Sequence, residues 1–185
     1  HIWAAGDAVE IADVVTGERS VIPLAGPANR QGRIAADVIM GRSTRFRGAQ
    51  GTSVVGVLDQ VAAFTGPSEK LLKQLGRWSQ MEKVYLHPGH HALYYPGAKP
   101  ISLKLLFEKK SGRIVSAQAV GEAGVEKRID VISMAIQNDA TVFDLEEAEL
   151  CYAPQFGSAK DPVNIAGMIA ANVVRQDVAL THWEA

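Results

Sequence analysis

Cysteine occurs once in these 185 residues, at Cys151, which excludes an internal disulfide framework and a multi-cysteine zinc site and fits the reducing cytoplasm. Charge of one sign is missing too. Lys and Arg number 19 against 20 Asp and Glu, a net charge of -1, so no excess field is available for a phosphate backbone or an anionic membrane. Neither nucleic acid nor membrane is an expected partner. No run approaches the ~20 apolar residues of a membrane span, and there is no internal repeat or low-complexity stretch. What is present, 47% hydrophobic and 21% charged residues, suffices to bury the core of one domain or one and a half.

The chain enters without an initiator Met or a charged leader, directly on His1-Ile2-Trp3-Ala4-Ala5-Gly6-Asp7. Residues 2–5 read as a buried strand with Gly6-Asp7 at its carboxyl end, as in a chain opened in mid-fold. A polar turn at Thr16-Gly17-Glu18-Arg19 precedes Val21 to Gly26, and a helix should follow. Pro27 suits its first turn, Ile34, Val38 and Ile39 share a face, and Gly41 stands where a left-handed C-cap belongs. The basic, Gly-terminated Arg42 to Gly48 reads as a connection, with the boundary near residue 47.

Beyond it, Ser53 to Ala63 is β-rich, and Gly66-Pro67-Ser68 breaks the run and offers Ser68 as N-cap of a short helix ending before Gly76. Ile101, Leu103, Leu105 and Phe107 share a face at period 2, and Lys109-Lys110-Ser111-Gly112 turns the chain into a second strand over 114–120. Val125, Ile129, Ile132 and Ile136 follow helical spacing over roughly 125–138. Thr141 with Asp144, and Asp161 followed by Pro162, open two further helices. The fold class is therefore α+β: a mixed antiparallel sheet with helices on it, preceded by a strand and a helix of another domain. Three segments follow from this, residues 1–46, 47–174 and a polar tail of 175–185.

His87, His90 and His91 lack a Cys or carboxylate at ligand spacing, so no metal site is expected. Cys151, with nothing basic beside it, reads as a small buried hydrophobe rather than a nucleophile. Glu146, Glu147 and Glu149 read as a solvated face.

A carboxylate at a strand tip, followed by a Pro-Leu-Ala-Gly-Pro helix start, can bind ligand hydroxyls while helix N–H groups face an anionic or carbonyl oxygen. Trp3 to Asp7 with Pro23 to Pro27 resembles the second flavin-binding motif of the pyridine nucleotide-disulfide oxidoreductases. His91-Ala92-Leu93-Tyr94-Tyr95-Pro96-Gly97, Glu126 to Ser133 and above all Tyr152-Ala153-Pro154-Gln155-Phe156-Gly157-Ser158-Ala159-Lys160-Asp161-Pro162-Val163-Asn164 are similar to the dimerisation domain of the coenzyme A-disulfide reductase branch, and of the neighbouring NADH oxidases. The resemblance covers nearly the whole chain.

It implies that Gly6, Asp7, Pro23, Leu24, Ala25 and Tyr152 contribute to an FAD site. It also implies that Tyr94 and Tyr152 act catalytically across a homodimer, and that Tyr94 and Lys160 contact the substrate, a coenzyme A disulfide or another small disulfide or persulfide. A phenol can stabilise a thiolate without adding charge, and an ammonium can pair with phosphate. NAD(P)H is the implied co-substrate. The Gly-x-Gly-x-x-Gly motif, the redox cysteine and the NAD domain lie upstream in that family, which implies a fragment inactive by itself. The tail resembles a linker toward a rhodanese domain. An NADH oxidase or peroxidase of the same family, and a non-catalytic dimerisation module with merely packed tyrosines, stand as alternatives.

Overall fold

The computed structural model describes residues 2–183. His1, and Glu184 and Ala185 at the end of the expected linker, lie outside the described residues. The chain divides after Ser53 into two compact units.

In the first unit, Glu10–Ala12 (β1) and Arg19–Val21 (β2) pair antiparallel, with Ile11 opposite Ser20. Asp13 closes the turn between them: its Oδ1 accepts the N–H groups of Val15 and Thr16 at 2.8 and 3.1 Å, an Asx turn that fixes the chain reversal. Helix α1 spans Ala25–Ile39, and Gly41 takes the left-handed conformation just past its end, as the sequence requires.

Two expectations fail here. Residues 2–5 form no strand and are exposed, because an apolar strand needs neighbours on both edges of a sheet and none pairs with it among the described residues. Ile39 is 64% exposed. The buried positions of α1 are Pro27 and Gln31, which continue through Ile34 and Val38 at helical spacing, and Ile39 falls off that stripe.

The division comes later than the expected boundary near residue 47, and the reason is local. Ala49 N–H donates to Ala12 O and Val14 N–H to Ala49 O, both at 3.0 Å, so the connection is tied back onto β1. Gly48 has φ +103°, and a Cβ there would overlap Ala12 O and meet Val14 Cγ1 at 2.9 Å, so only glycine can make this approach.

The second unit is a five-stranded sheet. Strand β3 (Thr52–Val57) crosses the division and lies beside β4 (Gln60–Thr65). Ser68 then caps α2 (Glu69–Gln74), accepting the Leu71 N–H, and a 3-10 turn at 78–80 leads into β5 (Met81–Leu86). The hairpin follows as β6 (Ile101–Glu108) and β7 (Ile114–Gly121). The strand order is β3-β4-β7-β6-β5, with the pairs β4–β7, β7–β6 and β6–β5 all antiparallel.

Helix α3 (Val125–Gln137) lies on β4 and β7, α5 (Pro162–Val174) lies on β5 and β6, and α4 (Val142–Glu146) packs against α5. The core sits between sheet and helices. Ile101, Leu103, Leu105 and Phe107 of β6 and Val125, Ile129 and Ile132 of α3 are all at or below 1% exposure. This is an α+β fold with helices on an antiparallel sheet. Residues 175–183 belong to this second unit, where His182 Nε2 lies 2.8 Å from Glu82 Oε1 of β5. No helix among the described residues is long and apolar enough to cross a membrane.

Candidate functional site

Two loops of the second unit carry the sequence-selected tyrosines. The first, residues 87–100, leaves β5 and returns into β6. Its ends are pinned together: Ile101 N–H donates to Pro88 O and His90 N–H to Lys99 O, each at 2.8 Å, and Lys99 N–H donates to His90 Nδ1 at 2.9 Å. Burial is the main cause lowering the His90 imidazole below its usual pKa, and it outweighs the backbone hydrogen bond with Lys99, which raises it. Closed at its base, the loop lifts Leu93 and Tyr94 into solvent at its tip, while His91 is buried beneath it with its ring edge-on to Tyr95.

The second loop, residues 147–161, joins α4 to α5. A turn at 153–157, closed by Phe156 N–H on Ala153 O at 2.8 Å, presents Gly157 O to the first loop, where Ala92 N–H donates to it at 2.9 Å. The two loops are thus stitched by backbone. Above the stitch, Tyr94 and Tyr152 meet hydroxyl to hydroxyl at 2.8 Å, 58 residues apart in sequence. Both rings are largely exposed, 76% and 48%. The hydrogen bond with Tyr94 is the main cause holding the Tyr152 phenol above its ordinary pKa, so it remains a neutral O–H at physiological pH.

Beneath the loops lies a buried polar network. The Arg128 guanidinium of α3, 1% exposed, donates from Nε to Asp161 Oδ1 at 3.2 Å and from Nη2 to Asp161 Oδ2 at 2.8 Å. It also donates to Gly124 O at 3.1 Å and to His90 O at 2.6 Å. Asp161 caps α5 through Val163 N–H, and Asn164 Nδ2 reaches back to Leu145 O at 3.2 Å and Ala148 O at 2.8 Å. Gly124, at φ +67°, makes room for this, since a Cβ there would overlap Arg128 Nη1. Sequence reasoning gave Arg128 no role. The available signal was a charge one residue away from Ile129 on the inward stripe of a helix, where a cation is found only if paired.

Lys160 is exposed, one residue before the Asp161 cap, and forms no hydrogen bond with either phenol among the described residues. It lines a groove of about 370 Å³ with Glu146, Glu147, Glu149 and Ser158. Glu146 is not merely solvated: its carboxylate receives both terminal nitrogens of Arg175, at 3.1 and 2.7 Å. Cys151 is exposed rather than buried, because the segment between α4 and the Ala153–Gly157 turn runs over the surface.

In the first unit, Gly6 N–H donates to the buried Gln31 Oε1 at 2.8 Å. This holds residues 6–7 against α1 and leaves the Asp7 carboxylate exposed. Pro23, Leu24 and Ala25 form the start of α1, whose N-cap Leu24 supplies no side-chain acceptor and whose first turn carries no acidic residue. An acceptor for hydroxyls and a helix start with donor N–H groups therefore belong to one unit, a donor set that suits a polyhydroxyl chain joined to a ring with carbonyl oxygens.

Residues 52–162 match the family described as pyridine nucleotide-disulphide oxidoreductase, dimerisation domain. A coenzyme A disulfide reductase of Staphylococcus epidermidis is 38% identical over 168 residues, which are 90% of this chain and 37% of that protein. Among solved structures, reduced Bacillus anthracis CoADR-RHD superposes with a TM-score of 0.96 at 49% identity, over 100% of this chain and 33% of that one. The NAD-dependent persulfide reductase of A. fulgidus gives 0.88 at 39%, over 94% and 32%. The chain thus spans a little over a third of the curated relatives it matches.

Proposed function

Since this chain belongs to the pyridine nucleotide-disulphide oxidoreductases, we propose that it is the carboxyl-side portion of an FAD-dependent NAD(P)H:disulfide reductase acting on a coenzyme A disulfide or persulfide. The observation that carries this reading is the Tyr94–Tyr152 hydroxyl pair at 2.8 Å, exposed at the apex of two stitched loops, in a chain similar to coenzyme A disulfide reductases. The unit up to Ser53 completes the flavin domain, and the unit that follows forms the dimerisation domain of a cytoplasmic homodimer.

NAD(P)H gives up a hydride and, with one proton, the S–S bond opens to two thiols; bound FAD supplies the two-electron relay between them. In a phenol pair one hydroxyl donates to the other, and the accepting hydroxyl keeps its own O–H. That O–H is strengthened as a donor by the bond it receives, and both rings are exposed to an incoming substrate. It stabilises the sulfur that departs as a thiolate, without delivering a full charge to the site. Asp7 would accept hydroxyls of the flavin's polyol chain with Gly6 permitting the approach, the Pro23, Leu24 and Ala25 backbone would face its ring, and Tyr152 would act on the flavin side of the partner subunit's site. Lys160 pairs with a phosphate of coenzyme A.

The test is turnover of coenzyme A disulfide with NADH or NADPH by the full-length flavoprotein and its Tyr94→Phe and Tyr152→Phe variants. Loss of roughly 10-fold or more in kcat supports the reading, and unchanged rates in both variants remove it. The 185 residues alone are expected to be inactive and to hold FAD poorly, since each bond from Asp7 is worth only ~1 kcal/mol net.

A further inference from the structure

Both phenols stand largely exposed at their loop tips. What sets their separation must therefore lie at the bases of the two loops, and both bases converge on one side chain. We propose that Arg128 is the positioning residue of the Tyr94–Tyr152 pair: its buried guanidinium locks the two loops in register so that the hydroxyls meet. The proposal rests on the reading that this pair serves the disulfide.

Burying an ion pair is seldom a route to stability, because desolvation offsets the attraction and an apolar replacement of similar volume is often as stable. The geometry shows what the charge is used for instead. A guanidinium is a rigid planar fork, and here it spans two backbone carbonyls and a carboxylate. Its Nη2 holds His90 O at 2.6 Å, two residues before the Ala92 stitch in the first loop. Nε and Nη2 hold both oxygens of Asp161, the last residue of the second loop. The fork itself stands on α3, anchored to Gly124 O at 3.1 Å.

Asn164 completes the restraint by tying Leu145 O and Ala148 O, at the other end of the second loop, to the helix that Asp161 caps. Each loop is consequently fixed at its root, and the tips have no freedom to slide past one another. A lysine would keep the charge but carries its three N–H donors on a single nitrogen, without the separated nitrogens of the fork. It cannot hold Asp161, Gly124 O and His90 O together.

The experiment uses the full-length flavoprotein carrying Arg128→Lys, Tyr152→Phe and the double change. Steady-state coenzyme A disulfide reduction is measured, and the tyrosine phenols are followed by 13Cζ NMR titration. The expected results for Arg128→Lys are a kcat loss of roughly 10-fold with KM for the nicotinamide unchanged, a double variant within about twofold of Tyr152→Phe alone, and Tyr94 and Tyr152 titrating independently.

Losses that multiply in the double variant, or a phenol titration unchanged from wild type, would overturn the proposal and leave Arg128 a structural clamp. If Tyr152→Phe alone leaves turnover intact, the functional reading fails, and the titration still decides the positioning role. Should Arg128→Lys not fold, Asp161→Asn, which keeps the cap and the shape but loosens the two-pronged grip, is judged by the same two readouts.

Discussion

Lys83 Nζ, on a side chain only 1% exposed, stands 3.1 Å from Glu69 Oε1. Glu69 also receives Lys73 at 2.7 Å and Lys104. Burial alone would push the carboxyl pKa up, but the hydrogen bonds from Lys104, Lys73 and Lys83 outweigh it and lower it from 4.5 to about 2. The folded-state value lies below the unfolded one, so this stabilisation is complete above about 4.5 and is lost as pH falls toward about 2. Glu69→Gln should cost about 3 kcal/mol at neutral pH, since it removes a carboxylate shared by three ammonium groups, and should flatten the acid limb of the stability curve. Urea midpoints between pH 7 and pH 2 for both proteins check this; parallel acid limbs would contradict it.

The exposure of the two phenols separates function from packing more cleanly than sequence could. A buried tyrosine truncated to alanine leaves a cavity, but Tyr94 and Tyr152 are 76% and 48% exposed. Tyr152→Ala is therefore expected to shift stability by no more than about 0.5 kcal/mol while losing as much turnover as Tyr152→Phe. Thermal midpoints measured beside rates in the full-length enzyme decide it.

For Lys160 the expected effect is on substrate affinity. Lys160→Ala should raise KM for coenzyme A disulfide severalfold, more at low salt than at high, and leave a small phosphate-free disulfide unaffected. Equal effects on both substrates would count against a phosphate contact.

Core truncations calibrate the fold itself. Ile132 is fully buried between α3 and the sheet, whereas Met134 on the same helix is 57% exposed. Ile132→Ala should cost about 2–5 kcal/mol and Met134→Ala within about 0.5. Denaturant midpoints of the two variants are the measurement.

The hairpin at β6 and β7 and helix α3 were legible in the sequence because a half-buried strand writes its core at period 2 and a surface helix at 3.6. The Thr141/Asp144 capping box and the Asp161 cap followed by Pro162 were equally plain. Strand β5 was not legible. Glu82 and Lys83 interrupt its apolar run, and the ion pair of the buried Lys83 with Glu69 is a tertiary contact. Residues 2–5 carry the composition of a sheet's central strand, and composition cannot say whether neighbours pair with it. Cys151 followed a statistical habit of cysteine that a surface loop overrides. The sequence related Tyr94 to Tyr152 through resemblance alone; their meeting depends on Ala92, Gly157, Arg128 and Asp161, whose hydrogen bonds span distances no local pattern encodes.

The strand order has a kinetic corollary. β6 and β7 join through a short turn, but β4 must find β7 across the whole of α2, β5 and the hairpin, as in the pairing of Ala63 with Ala119. Closing that interval costs chain entropy before any contact rewards it. The hairpin should serve as the nucleus onto which β4 condenses late. Substitutions in β6 and β7 would then slow refolding, while those in β4 would chiefly hasten unfolding.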